Sequence, residues 1–273
     1  RQRQMCIRDR TNRFLSKSLA LQVICAIVFL VAYTIYAASS VKACGTLFHT
    51  VIGMDPQIAM YLAAVVIVGY TFLGGFSAVC WTDFFQGMLV LGSMFIAPIF
   101  AAFMLDTSSM SSLPGGYLNP FSSWQDIVSG LAWGLGYFGM PHIIIRFMSI
   151  KSQKDLKKSA KIGITWTLLI VFFATLIGVI GRLFLGFDES INENSLVFIQ
   201  IVRKIFPGVI SGILLSAVLA ASMSTADSQL LAASSAFSSD VYKPVIRKGK
   251  ANDKEMMWTG RIVVLGISVA ALI

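Results

Sequence analysis

Runs of apolar residues long enough to cross a bilayer recur along this chain, and they restrict its fold more than any other feature. A hydrocarbon layer about 30 Å thick takes about 20 consecutive apolar residues in a helix. Seven such segments can be placed, over residues 19–47, 58–73, 83–104, 126–150, 162–185 and 209–237, with an incomplete one from 258. Inside lipid every backbone N–H and C=O must be paired within the spanning structure, which leaves helices and closed barrels. The short alternating strands of a barrel are absent, so the expected class is an all-α integral membrane bundle. Composition agrees, with 56% hydrophobic and 13% charged residues and a mean hydropathy of +0.76, outside the range of soluble domains.

The net charge is +9, yet the basic residues do not form a nucleic-acid surface. They sit between apolar runs and follow the positive-inside rule. Arg13 and Lys17 precede the first run, and Lys151, Lys154, Lys157, Lys158 and Lys161 follow the fourth. Lys243, Arg247, Lys248, Lys250, Lys254 and Arg261 follow the sixth. Loops 151–161 and 240–257 are therefore expected on the cytoplasmic side of a multi-pass cell-membrane protein. The link with Asp55 and Pro56, the linker 106–125 and the connection with Asp188, Glu189 and Glu193 are expected outside. Residues 195–206, amphipathic and carrying Arg203 and Lys204, are expected to lie along the outer surface. Gly74 and Gly75 are expected to end the second helix, and Thr82 or Asp83 to cap the third. Cys6, Cys25, Cys44 and Cys80 have no metal-binding or disulfide spacing.

Residues 1–12 lack the features of a signal peptide and are expected to be a non-native leader. The last apolar run, from Ile262, stops after twelve residues. Residues 13–273 are accordingly expected to be part of a longer transporter domain.

Two stretches break the apolar pattern. Residues 219–230 carry Ser222, Ser224, Thr225, Asp227, Ser228 and Gln229 within a spanning segment. Ala217, Ala221, Ser224, Thr225, Ser228, Ala232 and Ser235 recur on roughly one helical face. Such a stripe serves close packing of membrane helices, or its adjacent hydroxyls offer oxygen to a hard monovalent cation. In the fourth segment Gly134, Gly136, Gly139 and Pro141 fall within eight residues, which weakens the helical ladder. A simple proline kink is one reading. The other is a discontinuous helix of the kind that exposes backbone to a transported solute, with Trp133 and Tyr137 as an aromatic lining.

Three motifs carry a family resemblance: Gly-Gly-Phe-Ser-Ala-Val-Cys-Trp-Thr-Asp-Phe-Phe-Gln at 74–86, Trp-Gly-Leu-Gly-Tyr-Phe-Gly-Met-Pro-His at 133–142 followed by Arg146, and Ala-Ala-Ser-Met-Ser-Thr-Ala-Asp-Ser-Gln-Leu-Leu at 220–231. With them the chain resembles the sodium/solute symporter family, and within it the sodium/proline symporters. The resemblance implies a leucine-transporter-like inverted repeat, of which the chain resembles core helices three to nine. It implies a sodium ion between core helices one and eight, held here by the Ala221 carbonyl and the Ser224 and Thr225 side chains, the remaining ligands belonging to core helix one. It implies a substrate site lined by Trp133, Tyr137, Pro141 and Tyr36, and coupling or gating roles for Asp83, Arg146 and Asp227. Met140 stands where some proline symporters have Gln.

The implied function is sodium-coupled import of a small organic solute, L-proline, by alternating access. The alternatives are a symporter-like sensor domain of a histidine kinase, or a carrier of pantothenate, a sugar or another amino acid. Sodium, the solute and the lipid bilayer are the implied partners. No metalloprotease motif, nucleophile elbow or pair of intramembrane carboxylates marks an enzyme.

Overall fold

The computed structural model describes residues 19–105, 119, 121, 123–137, 140–148, 150, 152–186 and 196–272, and all regular structure among them is helical. The expected leader 1–12, Arg13, Lys17, most of the linker 106–125, and Asp188, Glu189 and Glu193 lie outside the described residues.

Helix α1 (Leu19–Ile52) runs five residues beyond its apolar segment. It stops at Gly53, which takes φ 70° and donates its N–H to the His49 carbonyl at 3.0 Å, the left-handed cap that glycine allows. The next helix starts almost at once, because Asp55 Oδ1 accepts the N–H groups of Gln57 and Ile58 at 2.9 and 3.2 Å and Pro56 has no N–H to leave unpaired.

That helix, α2 (Pro56–Phe103), holds the second and third expected spans in one 48-residue run. A straight helix of that length would measure about 72 Å, more than twice the hydrocarbon thickness. It is broken at Gly75, whose φ 58° and ψ −155° belong to a region open essentially to glycine alone. The glycine pair thus interrupts the helix as expected, but helical backbone continues directly after it. Thr82 and Asp83 consequently sit inside a helix and cap nothing. The Thr82 hydroxyl donates backwards to the Val79 and Ala78 carbonyls at 3.0 and 3.2 Å.

The fourth expected span is divided into α3 (Trp124–Tyr137) and α4 (Pro141–Met148). Gly139, one of the residues read as weakening it, lies outside the described residues. Pro141 opens α4, where its missing N–H costs nothing, so it starts a helix rather than kinking one. Met140 bridges the two, donating to the Tyr137 carbonyl at 3.3 Å and accepting from Ile143 and Ile144 at 3.1 Å.

Helix α5 (Gln153–Leu185) begins well before its apolar segment. Ser152 caps it, accepting from the Asp155 N–H at 3.2 Å and donating to the Asp155 carboxylate at 2.6 Å. Lys154, Lys157, Lys158 and Lys161 are therefore on the first turns of a helix, not in a loop. The 33 residues extend about 50 Å; hydropathy marks the membrane limits and not the helix ends. Helix α6 (Val197–Ile205) is amphipathic as expected, with Ile199, Ile201 and Val202 buried. Helix α7 (Gly208–Ala236) passes directly into a π-helical stretch (Phe237–Ile246), and α8 (Asp253–Ala270) ends the described structure. The loop expected at 240–257 is thus largely helical.

Among the described residues four helices are long and apolar enough to cross a membrane: α1, α2, α5, and α7 continued to Ile246. Apolar side chains such as Ile24, Val65, Phe103 and Ile164 remain exposed on their flanks, as lipid-facing surfaces require.

The chain divides into two compact units, Arg1–Met88 with Val218–Ile273, and Leu89–Ala217. In the first, α1, the π-helical stretch and α8 pack on one another. Gln22 donates to the buried Asp240 at 3.2 Å, and Arg261 stacks on Phe72 and Trp258 while donating to the Leu73 carbonyl at 3.4 Å, beside the break in α2. In the second unit Ala101, Ile177 and Ile201 form a core. A Cβ on Gly181 would come within 2.5 Å of Val197 and Ile201, so glycine sets how closely α5 and α6 approach.

Candidate functional site

Burial changes along α7 from one turn to the next. Ala226, Asp227, Ser228, Gln229 and Leu230 are buried, whereas Ala221 and Thr225 are exposed and Ser224 is half-buried. Ala221 and Thr225 are one turn apart, on the same face.

Three oxygens gather on that turn. The Ala221 carbonyl accepts from the Ser224 hydroxyl at 3.1 Å and from the Thr225 hydroxyl at 2.8 Å. This is the back-bonding that short hydroxyl side chains adopt in helices. Each hydroxyl oxygen keeps lone pairs for another partner, so the turn presents a neutral all-oxygen surface. Neutral oxygens suit a hard cation of low charge. Among the described residues no group of three or more His, Cys, Asp or Glu side chains could hold a metal ion.

The next turn of α7 is built differently. Asp227 is fully buried. Its Oδ2 accepts the Tyr70 hydroxyl at 2.7 Å, and its Oδ1 lies 3.1 Å from the Ser228 hydroxyl. Ser228 Oγ also lies 2.7 Å from the Ser224 carbonyl oxygen. Gln86, from the part of α2 beyond Gly75, is a hydrogen-bonding neighbour of the Tyr70 hydroxyl, and the charge of Asp83 reaches it only at longer range. Of the expected coupling residues, Asp227 is the one bonded to this tyrosine. Sequence reasoning missed Tyr70, since its partner Asp227 lies 157 positions away.

The expected substrate residues are placed less closely. Trp133 and Tyr137 lie one turn apart on α3, with ring centroids 5.2 Å apart at 52°. They are 63% and 46% exposed, and no residue of α3 is buried. Pro141 opens α4, which also carries the exposed Arg146 beside His142. Tyr36 on α1 is 41% exposed and belongs to the first unit, whereas Trp133, Tyr137, Pro141 and Arg146 belong to the second.

A model of the sodium:solute symporter family matches residues 9–273. The chain belongs to that family. It is 39% identical over 270 residues to the high-affinity proline transporter PutP of Bacillus subtilis (strain 168), covering 96% of this chain and 57% of that one. It is 38% identical to the osmoregulated proline transporter OpuE of the same organism, covering 96% and 55%. To the sodium/proline symporter of Escherichia coli (strain K12) it is 36% identical over 274 residues, covering 96% and 54%. The chain thus spans a little over half the length of these curated relatives. Among solved structures, it has the fold of a Na+-coupled sialic acid symporter in a substrate-bound outward-open state, with a TM-score of 0.79 and 19% identity, over 92% of this chain and 57% of that one.

Proposed function

We propose that the full-length carrier containing this chain imports L-proline together with sodium across the cell membrane by alternating access. Membership of the sodium:solute symporter family and the named activities of the relatives support transport rather than an enzymatic reaction. The observation that carries the ionic part is the neutral oxygen surface of Ala221, Ser224 and Thr225 on an exposed turn of α7. The Ala221 carbonyl and the two hydroxyls take part of the ion's coordination shell, and the remaining ligands come from core helix one of an inverted repeat. Trp133 and Tyr137 on α3, with Pro141 at the start of α4, line the solute site, which takes the zwitterionic substrate beside a discontinuous helix.

Sodium binding at α7 favours the arrangement that holds the solute, and the coupling is reciprocal because it is a free energy shared by two sites. One charge moving down 100 mV supplies about 2.3 kcal/mol. With about 1.4 kcal/mol per tenfold change, one sodium supports roughly fifty-fold accumulation before its own concentration gradient is counted. The basic segments 151–161 and 240–257 lie on the cytoplasmic side.

The test is uptake of labelled proline by the full-length carrier in proteoliposomes, with and without an inward sodium gradient. Pantothenate, sugars and other amino acids are added as competitors. Sodium-stimulated uptake displaced by none of them is the expected result. Uptake indifferent to sodium would overturn the proposal, and stronger displacement by one competitor would reassign the solute.

A further inference from the structure

We infer that Tyr70 is a positioning residue that sets the oxygen surface of Ala221, Ser224 and Thr225 from the following turn of α7. This rests on the reading of those oxygens as sodium ligands.

The physical problem starts with Asp227. A fully buried carboxyl in a helix bundle has to be held by hydrogen bonds, and one of them comes from another helix, the Tyr70 hydroxyl at 2.7 Å. At 2.7 Å this is a well-formed O–H···O bond, so Tyr70 holds the carboxyl of Asp227 through Oδ2. That leaves Oδ1 facing Ser228, 3.1 Å away. Ser228 has a single hydroxyl proton and lies within reach of two acceptors, Asp227 Oδ1 and the Ser224 carbonyl at 2.7 Å. The position of the carboxyl therefore decides how that proton divides between them. The Ser224 carbonyl belongs to the residue whose hydroxyl is one of the three oxygens on the exposed turn. A continuous path of four residues, Tyr70, Asp227, Ser228 and Ser224, thus joins α2 to the cation-facing turn of α7.

The location of Tyr70 strengthens the case. It lies five residues before Gly75, where α2 is broken, and Gln86 from beyond that break is a hydrogen-bonding neighbour of its hydroxyl. A change in the angle at Gly75 would therefore act on the same hydroxyl that holds Asp227. Tyr70 touches neither ion nor solute in this scheme; it acts through Asp227.

The experiment uses the full-length carrier in proteoliposomes, titrated with sodium. Tyr70→Phe keeps the ring and removes only the hydroxyl. The expected result is a rise of about threefold to tenfold in the sodium concentration for half-maximal uptake, the scale of coupling within one hydrogen-bond network. The proline half-saturation at saturating sodium should stay as in the parent. A merely structural role would instead lower the unfolding temperature and the maximal rate with no change in sodium half-saturation, and that outcome would overturn the inference. If Tyr70→Phe cannot be reconstituted, Ser228→Ala cuts the same path one step nearer Ser224 and carries the same expectation, an unchanged sodium titration again overturning it. Adding Asp227→Asn to Tyr70→Phe should produce no further shift beyond Asp227→Asn alone, whereas independent additive shifts would show that Tyr70 does not act through Asp227. A Ser224→Ala control separates the two levels. If Ser224→Ala shifts the sodium titration and Tyr70→Phe does not, only this inference fails. If Ser224→Ala leaves it unchanged, the assignment of the sodium ligands fails first.

Discussion

Helices α7 and α3 both carry residues that a membrane segment does not need for spanning, and they treat them in opposite ways. On α7 the polar groups are bound into the protein's own structure: Asp227 to Tyr70, Ser228 to Asp227 and Ser224, and Ser224 and Thr225 to Ala221. On α3 no residue is buried, and the Trp133 and Tyr137 rings lie against each other. A site on α7 is therefore shaped in advance by surrounding packing, so its geometry and the stability of the bundle are coupled. A site on α3 is a surface whose substitution costs little stability. The difference follows from chemistry, because dispersed backbone and hydroxyl oxygens bind an ion only when held in place, while aromatic faces bind by contact area.

The largest expected effect tests that contrast in stability. Asp227→Ala leaves the Tyr70 and Ser228 hydroxyls without their carboxylate in a buried setting, at a cost of about 2 to 3 kcal/mol. Trp133→Ala, on an exposed helix, should change stability by no more than about 0.5 kcal/mol. Thermal unfolding of the two variants in the same detergent measures both. Equal losses would break the comparison.

Next comes Gly75→Ala, which forces a Cβ into a backbone region essentially reserved for glycine and should cost about 1 to 3 kcal/mol. If its unfolding midpoint matched that of the parent, the break at Gly75 would not be a fixed feature of α2, and the separation of Tyr70 from Gln86 by a break would lose its meaning.

A crossed pair of equilibrium measurements sharpens the functional side. Tyr137→Ala should weaken proline binding about tenfold, about 1.4 kcal/mol, at saturating sodium, with sodium affinity in the absence of solute unchanged. Thr225→Ala should do the reverse. If both variants weakened both ligands equally, the aromatic pair and the oxygen surface would not be separate sites.

These contrasts also explain which parts of the molecule could be read in advance. Gly75 acts on the backbone within a few positions, so its residue type announces the helix break, whereas the cap that Asp55 and Pro56 give α2 reads in the sequence only as a link. Ser224 and Thr225 were legible because hydroxyls are conspicuous against an apolar background. The helical path of Lys154 to Lys161 was not, since charge ends a membrane-crossing window while Ser152 and Asp155 cap a helix that continues past it. Tyr70 was hidden for another reason. A tyrosine within an apolar run fits lipid, packing and hydrogen bonding equally well, and only the folded chain shows that its hydroxyl ends on Asp227.

The smallest expected effect concerns a third polar cluster, partnered as tightly as that of α7 but set beside the aqueous phase. Glu255 Oε1 accepts the Tyr242 hydroxyl at 2.6 Å and lies 2.6 Å from Arg247 Nε, while Oε2 faces Arg247 Nη2 at 3.3 Å. The tyrosine hydroxyl first, then the guanidinium, hold its carboxyl below the usual value of 4.5. A carboxyl lowered by folding contributes stability above its unfolded value, and that contribution fades as pH falls through the folded one. The cluster should thus be indifferent to pH between 7 and 5 and loosen only at pH values below 4.5. Glu255→Gln removes the titrating group while keeping an acceptor for Tyr242. The unfolding midpoint of the parent should therefore exceed that of the variant at neutral pH, with the gap closing in acid. High salt should narrow the gap as well, because an ion pair this near water is screened. A gap that persisted undiminished in acid would show that packing of the side chain, and not its charge, ties the π-helical stretch to α8.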